Sequence, residues 1–257
     1  MSTPLQGRHA LVTGAGRGIG AEIVRMLAGE GAQVTLLGRG EQALRALSEQ
    51  LPGGSHAVVA ADVSQEASVQ AAFAKARGAL GPITILVNNA GQAESAPFAK
   101  TSHELWQRML AVNLTGAFLC TREALPDMLA AGSGRIVNIA STAGQVGYAY
   151  VAAYTAAKHG VVGLTRSLAI EVARRGITVN AVCPGYTETD ILRDSIANVV
   201  EKTGRSAEEA REEFAKGNPQ QRIIRPQEVA DAVRWLCGDG ASAITGQTIS
   251  VSAGEVT

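Results

Sequence analysis

The sequence predicts an α/β fold, a doubly wound parallel sheet of about seven strands with helices on both faces. Three observations carry this. Short apolar runs alternate with helix-length segments along the whole chain. Connections of that length return the chain by right-handed crossovers, which set successive strands parallel. Gly14, Gly16, Gly18 and Gly20 lie between the first apolar run and the first helix, where such sheets need a tight turn. A chain of 257 residues suits one large domain, so 1–257 is expected to form a single unit of the Rossmann type.

The first strand is expected over His9–Thr13, the first helix over Ala21–Gly31 with Gly31 as its stop, and the second strand over Gln33–Leu37. A strand, a glycine-rich turn and a helix N-terminus direct backbone N–H groups at a diphosphate. A Cβ in that turn would block the close approach. Dinucleotide enzymes that prefer NAD carry an acid roughly 20 residues beyond the turn, on the ribose 2′-hydroxyl. This chain has Gly38 and Arg39 there, and Arg17 lies inside the turn. Two guanidinium groups suit a 2′-phosphate, so NADP(H) is expected ahead of NAD(H).

A helix over Gln42–Leu51 is closed by Pro52-Gly53-Gly54, and a strand follows over Ala57–Val63. Asp62 at its exit either accepts from an adenine amino group or caps the next helix, Gln65–Leu80. The strand Ile83–Val87 leads into Asn88-Asn89-Ala90-Gly91. Thr101 to Glu104 reads as a capping box opening a long helix. Asn113 stands in the middle of that helix, in AVNLTGAFL, where its amide competes for backbone groups and suggests a local distortion or a polar task. The strand Arg135–Ala140 delivers Ser141 to its carboxyl end, the end where ligands sit in open parallel sheets.

Tyr154 and Lys158 stand four residues apart in YTAAK, on one face of a helix. A phenol titrates near ~10, and a cation a few Å away lowers that value. The pair reads as an acid/base tuned toward neutral pH, able to exchange a proton with a carbinol oxygen. This helix runs to about Arg175, with Gly176 as a left-handed cap. Its largely apolar later part suggests burial on two sides, the second by another subunit or by the same chain. The strand Ile177–Val182 follows. Residues 190–217 are charged, with a capping box at Ser206 and Glu209; they read as a small helical lid or as an ordered surface pair of helices. A helix over Pro226–Cys237 and a strand over Gln247–Val251 finish the fold.

Balanced charge, 23 basic against 23 acidic residues, argues against nucleic acid or an anionic membrane surface as partner. Cys120, Cys183 and Cys237 are odd in number and widely spaced, which fits a reduced compartment. His9, His56, His103 and His159 show no ligand spacing, so no metal is expected. No apolar run reaches the ~18 residues of a membrane span. The protein is expected to be soluble and cytoplasmic.

These motifs together resemble the short-chain dehydrogenase/reductase family over essentially the whole chain. The matching stretches are TGAGRGIG, the NNAG run, Asn113, Ser141, YTAAK and PGYTET. The resemblance implies a catalytic tetrad of Asn113, Ser141, Tyr154 and Lys158. Tyr154 would exchange the proton, Ser141 would hold the substrate oxygen, Lys158 would lower the phenol pKa and bind the nicotinamide ribose, and Asn113 would position a relay water through its backbone. It implies a cofactor site at Gly14, Arg17, Gly18, Ile19 and Gly20, at Arg39, Asp62 and Val63, at Asn89 and Gly91, at Tyr154 and Lys158, and at Pro184, Gly185, Thr187 and Thr189. It also implies a homotetramer.

Within that family the chain is similar to reductases of β-keto thioesters. The substrate expected is thus a 3-oxoacyl or 3-hydroxyacyl thioester. The alternatives are an NAD-dependent dehydrogenase of a small cyclic or aromatic secondary alcohol and a dinucleotide-binding protein without catalysis. Two departures stand out. Gln92 to Pro97 lacks the Pro-Gly-Gly of aromatic polyketide reductases, and Ser252-Ala253-Gly254 replaces a usual Asp-Gly-Gly.

Overall fold

The computed structural model describes residues 4–257. Its strands are β1 (His9–Thr13), β2 (Gln33–Gly38), β3 (Ala57–Ala60), β4 (Ile85–Asn88), β5 (Gly134–Ile139), β6 (Ile177–Pro184) and β7 (Thr248–Val251). They form one seven-stranded parallel sheet in the order β3-β2-β1-β4-β5-β6-β7. The doubly wound parallel fold expected from the sequence is the one observed.

The helices are α1 (Gly18–Gly29), α2 (Glu41–Ser48), α3 (Glu66–Leu80), α4 (His103–Leu110), α5 (Gly116–Ala131), α6 (Ala152–Val172), α7 (Asp190–Thr203), α8 (Ala207–Lys216) and α9 (Pro226–Cys237). Successive residues of a strand face opposite sides of the sheet, and the two cores follow that alternation. Ala10 and Val12 of β1 pack with Ile23, Val24 and Leu27 of α1 and Val229, Val233 and Leu236 of α9. Leu11 of the same strand packs on the other face with Phe73 of α3, Cys120 and Met128 of α5 and Val172 of α6. Each large apolar side chain so enclosed contributes about 1.5–3 kcal/mol.

Several boundaries differ from expectation, each for a local reason. Helix α1 starts at Gly18, three residues early, so the glycine turn is itself the helix's opening. Strand β3 ends at Ala60 because the Asp62 carboxylate accepts from the Ser64 N–H at 2.9 Å and the Ser64 hydroxyl at 2.7 Å, closing a turn. Strand β4 starts at Ile85, since the Ile83 N–H leaves the ladder for Asp127 Oδ2 at 3.0 Å. Ser102, and not Thr101, caps α4, accepting from the Leu105 N–H without a reciprocal carboxylate.

The second face of α6 is covered at its start by the same chain: Ala153 packs with Leu105 and Met109. Near its end Ile170 is 81% exposed. Among the described residues no helix is long and apolar enough to cross a membrane, and no group of His, Cys, Asp or Glu is placed to hold a metal ion.

Candidate active site

The chain runs outward from β1 through β2 to β3, then returns to place β4 on the other side of β1. That reversal opens a crevice beyond the carboxyl ends of β1 and β4. Thr13 and Asn89 hold it open. The Thr13 hydroxyl accepts the N–H groups of Asn89 and Ala90 at 3.0 and 2.9 Å. The Asn89 side-chain amide donates to the carbonyls of Thr13 and Gly14 at 2.9 and 3.1 Å. The donor face of Asn89 is therefore engaged within the protein, and this residue builds the crevice.

The crevice is shaped for a close-lying ligand. A Cβ on Gly20 would sit 2.2 Å from the Gly14 carbonyl oxygen and 2.5 Å from Asn89 Nδ2, so only glycine fits. Gly18 has φ +53°, and a Cβ there would press on Thr189. No side chain caps the N-terminus of α1, which leaves its first N–H groups free for an anion. The cleft they open into measures about 1060 Å³, the upper end of the usual range for ligand pockets. These features fit a dinucleotide.

Every site residue expected from the sequence lines this one cleft. The glycine turn, from Gly14 through Arg17, Gly18 and Ile19 to Gly20, forms one end with Arg39, Asp62 and Val63. Asn89 and Gly91 line it too, as do Pro184, Gly185, Thr187 and Thr189, with Thr189 beside Gly18. Burial raises the Asp62 carboxyl pKa, but hydrogen bonds from Ser64 and the Arg39 charge outweigh it and leave the group below its ordinary value. Arg17 also makes a contact the sequence did not suggest: its guanidinium pairs with Asp190, the first residue of α7, at 2.9 Å.

Between α4 and α5 the backbone widens into a π-helical turn, Ala111–Thr115, around Asn113. Its amide donates to the carbonyls of Met109 at 3.0 Å and Gln92 at 2.9 Å, and its oxygen accepts the Gln92 N–H at 3.2 Å. Asn113 thus ties the loop after β4 to the helix, and both the distortion and the polar task are present.

Ser141 follows β5 and begins a short 3₁₀ turn, its hydroxyl accepting from the Ala143 N–H. That turn presses on α6: a Cβ on Gly144 would lie 2.8 Å from the Lys158 carbonyl oxygen. The close approach sets the Ser141 hydroxyl beside Tyr154, where it favours the ionised phenol. Lys158 is 4% exposed. Its ammonium donates to the Ile139 carbonyl at 2.8 Å and lies 5.7 Å from the Tyr154 ring centre.

Burial is the largest influence on both groups. It pushes the Tyr154 phenol up, against the opposing hydrogen bond from Ser141, and pushes the Lys158 ammonium down to about 8. The expectation that this pair is tuned toward neutral pH by lowering the phenol is corrected for the free protein. Here desolvation outweighs the one opposing influence, that of the Ser141 hydroxyl, and the phenol holds its proton.

Two groups at the cleft were not singled out from sequence. Tyr186 and Phe214 pack with ring centres 4.7 Å apart, tilted at 56°, and line the cleft. Tyr148 lines its inner wall and donates to Glu255 Oε1 at 2.5 Å. The segment 190–217 supplies α7 and α8, and Asn198 on α7 donates to Ser95 across the mouth at 3.1 Å.

A parallel sheet with a glycine-turn crevice and a Ser-Tyr-Lys cluster beside it defines the dinucleotide-fold oxidoreductases. Residues 8–199 match the family model described as short chain dehydrogenase, and the chain belongs to that family. It is 43% identical over 252 residues to a provisionally named ketoacyl reductase of Streptomyces coelicolor, covering 95% of each chain. It is 42% identical over 252 residues to a cis-4-hydroxycyclohexanecarboxylate dehydrogenase of Sinomonas cyclohexanicum, covering 96% of each. Among solved structures, a single-residue variant of actinorhodin polyketide ketoreductase with NADPH superposes with a TM-score of 0.93 at 42% identity, covering 98% of both chains.

Proposed function

We propose that this oxidoreductase moves a hydride between NADP(H) and the carbon of a secondary alcohol or ketone, with a 3-oxoacyl or 3-hydroxyacyl thioester as its substrate. One observation carries the reading: Ser141, Tyr154 and Lys158 come from two separate elements and meet in the cleft that the uncapped α1 N-terminus enters. The Tyr154 phenol, protonated in the free protein, serves as general acid in reduction and as base in oxidation. Ser141 holds the substrate oxygen against that phenol. Lys158 supplies positive charge beneath it, and Asn113 fixes the adjoining loop. The nicotinamide group, when bound, supplies or accepts the hydride. Arg39 at the ribose end, with no acid in its place, supports NADP(H) over NAD(H).

The likeness to a ketoacyl reductase supports the thioester. The equal likeness to a dehydrogenase of a cyclic hydroxy acid supports a second reading, a small cyclic secondary alcohol oxidised with NAD. By the family likeness, the chain works as a homotetramer in the cytoplasm, with exposed Ile170 of α6 available to a subunit contact. The deciding experiment is steady-state kinetics with NADPH and NADH on acetoacetyl thioesters and on cyclic ketones. The reading expects the highest kcat/KM for NADPH with the thioester. A tenfold preference for NADH, about 1.4 kcal/mol, together with cyclic substrates, would move the assignment to the second reading.

A further inference from the structure

We propose that Glu255, on the C-terminal tail, is a positioning residue that sets substrate specificity by fixing Tyr148 in the wall of the cleft. The inference rests on the ketone or alcohol reading above. Tyr148 lies in the segment between the 3₁₀ turn after Ser141 and helix α6, and lines the cleft. Its phenol bridges two parts of the chain. It donates to Glu255 Oε1 at 2.5 Å, 107 residues away, while the Thr142 hydroxyl, next to Ser141, favours its ionised form.

The second Glu255 oxygen is buried and has no hydrogen-bond partner. It lies where a side chain on Gly185 would project, 2.6 Å from the Cβ position. One carboxyl therefore tethers Tyr148 and lies packed against the Pro184-Gly185 turn. The same loop is tied on its other side, where the Ala96 N–H donates to the Tyr150 carbonyl at 2.8 Å. Tyr150 there has φ +68°, a conformation a tyrosine adopts only under constraint.

The tether has a chemical consequence. With its proton engaged by Glu255, the Tyr148 phenol offers none to a bound carbonyl and presents its ring. Tyr154 is left as the acid. Burial raises both the Tyr148 and the Glu255 pKa, and the titratable groups facing the carboxyl are Tyr148 and Tyr186. Burial and the Glu255 carboxylate both hold the proton on Tyr148, so the phenol stays the donor in the tether.

The test compares Glu255→Ala, Glu255→Gln and Tyr148→Phe with wild type on a small and a bulky ketone, with amide hydrogen exchange of residues 145–151 in the free protein. Glu255→Ala and Tyr148→Phe should raise KM for the small ketone about tenfold, the scale of one ordering hydrogen bond. Their kcat should stay within about twofold, and discrimination between the two ketones should narrow. Combining them should add nothing further. Glu255→Gln, which keeps an acceptor, should restore wild-type KM. Exchange should quicken in Glu255→Ala and not in Glu255→Gln. Unchanged exchange in Glu255→Ala, or a loss confined to kcat, would overturn the proposal. A wild type that turns over no ketone would defeat only the activity reading; the exchange comparison would then decide the brace alone.

Discussion

The Lys158 ammonium donates to the Ile139 carbonyl and lies 5.7 Å from the centre of the Tyr154 ring. One strand end therefore anchors the cation and, two residues later, supplies Ser141. The relationship explains how a charge can be held in a buried place: the backbone carbonyl at the carboxyl end of β5 accepts one of its hydrogen bonds.

That burial has a signature in stability against pH. In the folded protein the Lys158 pKa is pushed down to about 8, while the unfolded chain keeps its ordinary 10.5. Between those values the unfolded state binds the proton and the folded state does not, so stability rises with pH in that window. Relative to Lys158→Met, the free wild type should gain about 3 kcal/mol between pH 8 and 10.5. Chemical denaturation of both proteins across this range checks it; parallel curves would contradict it.

Gly20 and Gly78 make opposite predictions. A methyl at Gly20 meets backbone that cannot move, the Gly14 carbonyl. Gly20→Ala should destabilise by about 1–3 kcal/mol and weaken NADPH binding. Gly78 is inside α3 with nothing within 4 Å of its Cβ position. Gly78→Ala should stabilise by about 0.5–1 kcal/mol and leave binding alone. Thermal melts with a cofactor titration separate the two.

Arg39 faces Asp62 in the cleft. Arg39→Ala should raise KM for NADPH by about tenfold or more, the worth of a charge-assisted contact. KM for NADH should change far less. Equal effects on both would show that Arg39 does not meet a 2′-phosphate.

Asn113 makes three hydrogen bonds from the π-helical turn. Asn113→Ala leaves their partners unsatisfied and should cost about 2–3 kcal/mol. For a chain of this size that lowers Tm by about 4–12 °C. Calorimetry measures it directly, and an unchanged Tm would mean that water replaces the side chain at no cost.

The doubly wound sheet was legible because alternating apolar runs and a glycine turn are local features. The lateral order of the strands is not fixed by alternation alone, which sets their direction. The distortion at Asn113 was legible because a polar amide sat among apolar neighbours in a helix. Long-range side-chain contacts were not legible. Arg17 pairs with Asp190, and Tyr148 with Glu255, across separations that leave no periodicity to read. The titration of Tyr154 departs from the sequence expectation for a related reason. Spacing shows that Lys158 is near, but desolvation depends on everything packed around the phenol.

The central claim is that Tyr154 passes the proton in a cleft already built for the dinucleotide. Its most direct test is Tyr154→Phe, with turnover of a ketone and NADPH affinity measured on the same preparation. The account predicts that kcat falls by about 10²–10⁴-fold while the NADPH dissociation constant stays within about twofold, since the phenyl ring keeps the packing of α6. A variant that keeps turnover within tenfold of wild type would contradict it.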